Sequence, residues 1–481
     1  MVNINTNGIE EAKRIFSIQK EGYNKSHIVS YDSRIDRINR IENMIRDNRD
    51  EIAKAIEADF GTRNSDYVFI ADIYPVLSHA KHVKKHLRKW MKREKTSTIL
   101  EGFIGQKTYI INEPMGVVGV MSPFNAPVSL AFDPAIEALA AGNRVMIKFS
   151  ESTPNTASLM KGLVSKYFKE EELAVVTGDL EVSKVFSALP WDKFFFTGGS
   201  EVGKKILEAA SNNLTPVILE LGGKSPCVVL EDADLDLAAE KIAKVRLMNS
   251  GQVCISGDYV LIPDNKLEKF LKKVVESAES VYPKVLDNPD YVSIINDREY
   301  ERIISYIDEA KASGCKLIQV NPGNEELPNK EKRKIPLTIA INPDKNLKLA
   351  QNEIFGPILT IFTYDKLDDA IASINEREKA LALYIFGKNN SDINKVVNQT
   401  SSGGVTINDM LLHAGSNTMG FGGVGYSGMG RYKGGFIGYQ AFTNPKAVYQ
   451  QGILRKFTTS FLPPSKNQRM TKMLKAQVGI K

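Results

Sequence analysis

Apolar residues recur at helical spacing through much of the first hundred residues. In segments 35–45 and 83–91 they return every three or four positions with charged residues between them, which is the pattern of a helix that buries one face. The pattern predicts helices over residues 35–95. The second segment and the residues that flank it carry six basic side chains. Because no stacking aromatic platform or glycine loop accompanies them, we interpret them as a solvated helix face rather than a nucleic-acid site. These residues are Lys81, Lys84, Lys85, Arg88, Lys89 and Lys92.

The hydrophobic pattern changes after residue 97. Residues 98–114 alternate around Gly105 and predict a hairpin. Beyond Met115, short apolar runs separated by helical patterns predict a parallel α/β sheet. A second α/β stretch covers about residues 235–406, and the glycine-rich residues 420–438 predict a loop. The predicted strands of the first stretch are 117–121, 145–147, 174–176, 194–196, 217–219 and 227–230, with helices at 134–141 and 152–167.

Composition narrows the class of protein. The chain has 481 residues, of which 42% are hydrophobic and 25% charged, and its formal net charge is +6. This is ordinary for a folded protein of more than one domain-sized unit, and the modest positive charge favours an anionic ligand such as a dinucleotide without requiring nucleic acid. The first 25 residues lack the apolar core of a secretory signal, and no stretch is apolar enough to span a bilayer. We therefore expect a cytoplasmic protein with no stable membrane anchor, whose three cysteines stay reduced and bind no metal.

A glycine-rich turn follows the apolar run 194–196. A helix that begins in this turn would offer free N–H groups and the positive end of its dipole to a phosphate. The turn nearly matches a P-loop, but Lys205 stands where a P-loop needs Ser or Thr to hold magnesium. Two interpretations stay open, pyrophosphate binding and an ordinary helix start capped by Ser200. The turn reads Thr197-Gly198-Gly199-Ser200-Glu201-Val202-Gly203-Lys204-Lys205.

Glu220 ends the apolar run 217–219 and precedes Leu221-Gly222-Gly223. It follows the glycine turn by roughly 20 residues, where an acid that binds ribose hydroxyls is expected. A carboxylate at a strand end beside two glycines could equally be a general base open to water. The spacing does not choose between these two roles.

Cys254 lies between Gly251 and Gly257, which indicates a loop in which the thiol can be approached. Cysteines of intracellular proteins are more often small core residues than nucleophiles. Cys227, inside an apolar strand, and Cys315 fit that ordinary role. The residues around Cys254 do not by themselves decide between the two.

Six motifs taken together are more specific. In their order and spacing they resemble the aldehyde dehydrogenase superfamily, and the resemblance covers nearly the whole chain. The segment 421–430, with Tyr432 after it, is most similar to the class 3 and coniferyl-aldehyde branch. The motifs are Ser122-Pro123-Phe124-Asn125, Lys148-Phe149-Ser150-Glu151, Phe196-Thr197-Gly198-Gly199-Ser200, Leu219-Glu220-Leu221-Gly222-Gly223-Lys224, Gly251-Gln252-Val253-Cys254 and Glu353-Ile354-Phe355-Gly356-Pro357.

The resemblance implies an α/β architecture with a Rossmann-like cofactor domain, an α/β catalytic domain and a small β element for oligomerisation. The implied dinucleotide-binding domain is residues 1–97 and 115–221, and the catalytic domain is 222–415. Residues 98–114 and 438–452 would form the oligomerisation element. Residues 453–481 would form a basic tail that reaches a partner subunit, since family members are dimers or tetramers. We therefore expect a homodimer or homotetramer.

The resemblance also implies a reaction. Cys254 would attack an aldehyde carbon, Asn125 and the Cys254 backbone N–H would stabilise the oxyanion, and Glu220 would activate water to hydrolyse the thioester. The expected substrates are medium-chain aliphatic or aromatic aldehydes, and the expected cofactor is NAD, with NADP possible. The residues that the resemblance assigns to the cofactor are Lys148, Glu151, Gly198, Gly199, Gly203, Leu221, Glu353 and Phe355.

Some positions depart from the family pattern, namely Ala126, Phe149 and Met419-Gly420. None is catalytic, so they bear on the substrate pocket and not on the reaction. His413 could face the substrate mouth, as in class 3 members, or be a structural histidine.

Two other functions compete with hydrolytic aldehyde oxidation. One is a CoA-acylating dehydrogenase, and Glu220 argues against it because that branch tends to lack the general base. The other is a non-catalytic binding module on the same fold. The joint presence of Cys254, Asn125 and Glu220 argues against that one.

Overall fold

The computed structural model describes residues 6–98, 105–452 and 468–480. The chain divides into two compact units, residues 1–88 with 114–443 and residues 89–113 with 444–481. The larger unit contains a six-stranded and a seven-stranded sheet. Whether these two sheets mark separate cofactor and catalytic domains stays a prediction.

The helices follow the chain in this order: α1 Thr6–Lys25, α2 Tyr31–Asp47, α3 Arg49–Phe60, α4 Ser65–Val68, α5 Tyr74–Trp90, α6 Ser129–Ala140, α7 Pro154–Tyr167, α8 Leu180–Ala188, α9 Ser200–Ser211, α10 Leu235–Leu247, α11 Leu267–Val281, α12 Asp297–Ala312, α13 Lys348–Gln351, α14 Leu367–Asn375, α15 Asn390–Gln399, α16 Leu412–Gly415, α17 Phe436–Ala441 and α18 Gln468–Gln477. A π-helical turn, Phe69–Ile73, joins α4 to α5, and 3₁₀ turns cover Met248–Gly251 and Asp264–Lys266.

The strands are β1 Glu94–Lys95, β2 Lys107–Pro114, β3 Val117–Met121, β4 Arg144–Lys148, β5 Leu173–Val176, β6 Lys193–Thr197, β7 Val217–Glu220, β8 Pro226–Val229, β9 Tyr259–Pro263, β10 Lys316–Gln319, β11 Thr338–Ile341, β12 Ile358–Tyr364, β13 Ala382–Phe386, β14 Gly404–Ile407, β15 Gly428–Met429 and β16 Thr443–Gln450.

The six-stranded sheet has the order β15-β7-β6-β3-β4-β5, and all of its strands except β15 run parallel. Strands β3 and β4 are buried at every position, as in parallel sheets covered on both faces. The chain proceeds from β3 outward to β5 and then returns to β6 on the other side of β3. This reversal creates a crevice at the carboxyl ends of β3 and β6, where open α/β sheets bind ligands. Five of the six strands predicted for this stretch form this sheet. The sixth, 227–230, corresponds to β8, which lies instead in the seven-stranded sheet.

The prediction of a loop over residues 420–438 is partly wrong. Gly428–Met429 forms β15, which pairs antiparallel with β7 and sets Gly428 opposite Glu220. A Cβ atom at Gly428 would lie 2.5 Å from the Leu219 carbonyl oxygen, so only glycine allows this approach. A short glycine strand carries no apolar alternation, and the sequence pattern therefore did not show it.

The seven-stranded sheet has the order β10-β11-β12-β9-β8-β13-β14. Only β10 is antiparallel to its neighbour. Apolar residues of β8, β9, β12 and β13 are buried in two hydrophobic clusters. This sheet confirms the predicted second α/β stretch.

The N-terminal helices α2, α3 and α5 confirm the predicted helical segment. The apolar pattern does not predict α1. This helix buries Ala12, Ile15, Phe16 and Gln19. Gln19 Nε2 donates to the carbonyl oxygens of Val145 and Glu170, both at 2.9 Å. A buried amide on this face interrupts the apolar periodicity that would have revealed the helix.

The smaller unit contains the three-stranded sheet β1-β2-β16. Strands β1 and β2 are antiparallel and pair through Glu94 and Ile110, so the first strand precedes the start of the predicted hairpin 98–114. Residues 99–104 of that hairpin and 453–467 of the predicted basic tail lie outside the described residues. Within the described chain, no helix has the length and apolarity needed to cross a membrane.

Candidate active site

Cys254 lies in the loop between the 3₁₀ turn Met248–Gly251 and β9, and it is half-buried. Three successive residues before it, Asn249, Ser250 and Gly251, have φ angles of 50°, 51° and 76°. Left-handed conformations at non-glycine residues are strained and persist only where contacts hold them. Asn249 Nδ2 donates to the Gln252 carbonyl oxygen at 3.1 Å, and Ser250 Oγ donates to the carbonyl oxygen of Val292. The backbone that presents the thiol is therefore held by its neighbours.

Gln252 anchors the same loop from within. Its Nε2 donates to the carbonyl oxygens of Asn249 at 2.9 Å and Ser293 at 3.1 Å, while its Oε1 accepts from the Ile295 N–H at 3.0 Å. The side chain is 1% exposed. This amide therefore ties the cysteine loop to the segment 293–295.

Asn125 lies between β3 and α6, with 8% of its surface exposed. Its Nδ2 donates to the Gln252 carbonyl oxygen at 3.1 Å, two residues before Cys254. An amide nitrogen carries two N–H groups, and within the described residues only this one contact uses them. The structure thus brings a hydrogen-bond donor to the cysteine loop.

Glu220 ends β7 and is 2% exposed. Among the described residues neither of its carboxylate oxygens has a hydrogen-bond partner. Burial raises the pKa of this carboxyl well above its usual value, and the positive charges of Arg431 and Lys433 oppose the rise. A buried acid without a partner is unusual, and such groups concentrate at functional sites.

Two carboxyl groups, those of Glu353 and Glu220, affect the pKa of the Cys254 thiol. Burial raises its pKa to about 12, and the negative charges of Glu353 and Glu220 add to the rise. The backbone N–H groups of Cys254 and Ile255 oppose it. The thiol is therefore protonated at neutral pH, so it needs a nearby base or a positive charge to become a nucleophile.

Glu353 lies beside Gly222 and Gly223, and Phe355 contacts Phe124. The Glu353 carboxyl accepts a hydrogen bond from the Gly223 N–H, and burial raises its pKa to about 8. A Cβ atom at Gly222 would lie 1.9 Å from Glu353 Oε2, so the glycine pair after Glu220 leaves room for this side chain. The ring of Phe355 meets that of Phe124 edge-on at 5.7 Å.

The carboxyl ends of β4 and β6 offer a second set of groups. Lys148, 1% exposed, has its Nζ 3.6 Å from Glu151 Oε2. Helix α9 begins after Gly199, which is its N-cap and carries no side-chain cap. Ser200 does not cap the helix, since its hydroxyl donates to the Tyr426 carbonyl oxygen at 2.9 Å. An added Cβ at Gly199 would meet no atom within 4 Å. A cation, a carboxylate and an open helix N-terminus at one sheet edge fit a dinucleotide.

Comparison with known proteins decides the family. The chain matches the aldehyde dehydrogenase family over residues 1–448. It is 41% identical over 435 residues to a probable coniferyl aldehyde dehydrogenase of Caulobacter vibrioides, which covers 90% of each chain. The chain belongs to the aldehyde dehydrogenase family. The predicted family and enzyme class, an NAD(P)-dependent aldehyde dehydrogenase, are confirmed.

Solved structures of dehydrogenases agree with the fold. The substrate-bound state of Staphylococcus aureus AldH has a TM-score of 0.90 and 34% identity, covering 97% of this chain and 99% of that one. An indole-3-acetaldehyde dehydrogenase complexed with NAD⁺ has a TM-score of 0.83 and 25% identity, covering 92% and 89%. The predicted α/β aldehyde dehydrogenase fold is confirmed.

Gly203 and Leu221 of this dehydrogenase meet each other. Gly203 lies inside α9 and is buried, and a Cβ atom there would come within 2.7 Å of a methyl group of Leu221. The glycine therefore lets the helix pack closely against the end of β7. Gly203 therefore contributes to the glycine turn by setting the position of α9.

His413, Cys227 and Cys315 have surroundings that fit a structural role. His413 is 7% exposed, its Nδ1 lies 2.7 Å from Thr406 Oγ1, and burial lowers its pKa to about 4. Its ring stacks on Phe421 at 6.2 Å. Cys227 is fully buried in β8, and Cys315 is half-buried. The histidine is therefore neutral at physiological pH and packed in the interior.

Two residues near the dehydrogenase site were not singled out from the sequence. Arg63 Nη1 donates to the Asn125 carbonyl oxygen at 2.8 Å, and Arg63 is paired with Asp72. Both lie in a segment that the apolar pattern describes only as helical. Their hydrogen bonds to residues 125–129 span more than fifty positions along the chain, and no local motif marks such contacts.

Proposed function

We propose that this dehydrogenase oxidises aromatic or medium-chain aliphatic aldehydes to carboxylic acids with NAD, through a thioester on Cys254. The observation that carries the proposal is the convergence of three segments. The half-buried thiol of Cys254 experiences the charge of the buried Glu220, which has no hydrogen-bond partner among the described residues, and the Asn125 amide donates a hydrogen bond to the loop of Cys254.

Cys254 begins the reaction. The thiol gives its proton to a water molecule, its sulfur forms a bond to the aldehyde carbon, and the carbonyl double bond opens so that its oxygen becomes an oxyanion. The free N–H of the Asn125 amide and the Cys254 backbone N–H donate to that oxyanion. One such donor contributes about 3–4 kcal/mol to the transition state.

Bound NAD would supply the hydride acceptor for the oxidation, so that loss of hydride from the aldehyde carbon leaves a thioester on Cys254. Lys148 and Glu151 would hold the adenosine ribose, the N-terminus of α9 would hold the pyrophosphate, and Glu353 and Phe355 would hold the nicotinamide ribose and ring. The half-exposed carboxylate of Glu151 repels a 2′-phosphate, so NAD is preferred over NADP.

Glu220 completes the cycle as a general base. Its carboxylate takes a proton from water, the hydroxide attacks the thioester carbon, and the carbon–sulfur bond breaks to release the acid and the thiol. Efficient general bases have a pKa near the working pH. The raised pKa of Glu220 brings the group toward that range. This role, rather than ribose binding, explains why the carboxyl has no hydrogen-bond partner in the described part of the chain.

The substrate class and the assembly belong to the same proposal. The similarity to a coniferyl aldehyde dehydrogenase supports an aromatic aldehyde, and the rings of Phe124 and Phe60 lie 6.5 Å apart beside Asn125. The cysteines are unpaired, which fits a reducing, cytoplasmic compartment. The three-stranded sheet of the smaller unit is the proposed surface for a homodimer or homotetramer.

Absorbance of reduced nicotinamide tests the proposal. Purified protein is mixed with NAD or NADP and with coniferyl aldehyde, octanal or acetaldehyde, with and without coenzyme A. We expect the highest kcat/KM with NAD and coniferyl aldehyde or octanal, and the free acid as product. Formation of an acyl-CoA would support the acylating alternative, and no turnover with any aldehyde would overturn the proposal.

A further inference from the structure

Arg63 and Asp72 form an ion pair with no solvent exposure. Arg63 Nη2 lies 2.6 Å from Asp72 Oδ2, and both side chains are 0% exposed. The guanidinium also lies over the rings of Phe60 at 4.6 Å and Tyr67 at 5.0 Å. Burying two charges costs about as much as their attraction returns. Such a pair is therefore poorly explained as a device for stability, and its geometry needs another reason.

The pair holds both ends of the turn that carries Asn125. On one side Arg63 Nη1 donates to the Asn125 carbonyl oxygen at 2.8 Å. On the other side Asp72 Oδ1 accepts from the backbone N–H of Val128 at 2.9 Å and of Ser129 at 3.4 Å. The guanidinium of Arg63 and the carboxylate of Asp72 thus hold the backbone at both ends of residues 125–129.

Helix α6 depends on this contact for its start. Its N-cap is Val128, which has no side chain that can accept a hydrogen bond. A carboxylate at a helix N-terminus satisfies free N–H groups and interacts favourably with the helix dipole. Asp72 supplies that carboxylate from the π-helical turn Phe69–Ile73, where it is buried together with Ile73.

We propose that Arg63 and Asp72 are positioning residues, which set the Asn125 amide at the distance from Cys254 that oxyanion stabilisation requires. The inference rests on the proposed function, in which Asn125 is the donor. The path is short, because Arg63 holds the Asn125 carbonyl oxygen while the Asn125 amide reaches the loop of Cys254 at Gln252. A displacement of about 1 Å at such a group can lower a rate about 100-fold.

Arg63→Lys tests the pairing while it keeps the charge. A lysine ammonium lacks the planar fork that serves two acceptors at once. We expect the rate constant of the NADH burst to fall about 10–100-fold, with the Kd for NAD and the melting temperature close to wild type. In an Asn125→Ala background the same substitution should cause no further fall, because the residue acts through Asn125. The inference would be overturned if Arg63→Lys had the wild-type burst rate. It would also be overturned if Arg63→Lys lowered the burst rate by the same factor in the Asn125→Ala background as in the wild type.

Asp72→Asn provides a second variant of nearly the same size. Its amide oxygen can still accept from Val128, but the charge partner of Arg63 is lost. We expect the same dependence on Asn125 and a similar fall in the burst rate. If Arg63→Lys does not fold, this variant carries the test with the same outcomes.

Hydrogen exchange separates this inference from the proposed function, since it needs no substrate. The peptide that covers residues 123–132 should exchange faster in both variants, while the peptide of β9 should not change. Unchanged exchange at 123–132 would overturn the positioning role whatever the activity. An absence of turnover in the wild-type protein would instead overturn the proposed function alone.

Discussion

The glycine turn after β6 and the loop around Cys254 hold their functional groups in different ways. In the turn, the backbone of one continuous segment, residues 197–203, presents the helix N-terminus and leaves open space before it. Around Cys254, the segments 63–72, 125–129, 249–256 and 293–295 hold one another by side-chain hydrogen bonds. A site made of backbone tolerates changes that add no bulk. A site made of a side-chain network depends on every member.

This difference separates binding from chemistry. A dinucleotide needs donors and space, which glycines and a helix end supply locally. A thiol nucleophile needs a base, an oxyanion donor and partial exclusion of water, which no single segment can supply. Cofactor binding and chemistry should therefore be lost separately when different residues are replaced.

Cys254→Ala should have the largest effect. We expect NAD binding to remain while kcat falls by about four orders of magnitude or more, because the variant has no nucleophile. Turnover measured by reduced nicotinamide and a calorimetric titration with NAD check the two halves of this prediction. Cys315→Ala is the matched control and should keep wild-type activity. Retained turnover in Cys254→Ala would mean that another group reacts.

Glu220→Gln should release about one NADH per active site and then stall, since hydrolysis follows oxidation. We expect steady-state turnover to fall about 10²–10⁴-fold. A base acts when deprotonated, and burial raises the pKa of this carboxyl. The wild-type kcat should therefore rise with pH, with an acid limb above the range of an ordinary glutamate. That limb should disappear in the variant. An unchanged steady state would give Glu220 a structural role.

Gly199→Ala should weaken cofactor binding without harm to the fold. A methyl group there meets no protein atom within 4 Å, so the melting temperature should not change, but the methyl enters the space before the helix N–H groups. We expect the KM for NAD to rise about 10-fold, which corresponds to about 1.4 kcal/mol. Gly162→Ala, at an exposed glycine of α7 that also has open space, should leave that KM unchanged. An equal KM in both variants would refute the assignment of the turn.

Glu353→Gln should have the smallest of these effects, which is a lower pKa of the Cys254 thiol. After burial, the charge of Glu353 is the main contribution that raises this pKa to about 12. The Glu353 carboxyl has a pKa of about 8, so the comparison is made at a more alkaline pH, where it is ionised. Without that charge the pKa falls, the thiolate fraction rises, and iodoacetamide should alkylate Cys254 a few-fold faster. The exposed Glu376→Gln is the control, and slower alkylation in Glu353→Gln would contradict the sign.

Much of the fold was predictable from local patterns. The buried strands of both sheets, such as β3, are short apolar runs, and the helices α2 and α5 show the spacing of one buried face. Helix α1 and strand β15 were not predictable in this way. A buried Gln19 interrupts the apolar face of the first, and glycine gives the second no pattern at all.

The site was predictable only in part. The motifs marked Cys254, Asn125 and Glu220, but the spacing alone left two roles open for Glu220. Its burial and its lack of a hydrogen-bond partner among the described residues support the role of general base, and both are properties of the folded chain. The ion pair of Arg63 and Asp72 had no signal in the sequence.

The sequence by itself determined most of the backbone elements, the glycine turn and the identity of the motifs, because these follow from side-chain periodicity and steric freedom over a few residues. The tertiary structure alone decided which carboxyls stand near the thiol, how far their pKa values rise, and what holds Asn125 in place. Desolvation and Coulomb interactions depend on distance in space, and residues far apart along a chain acquire that distance only when the chain folds.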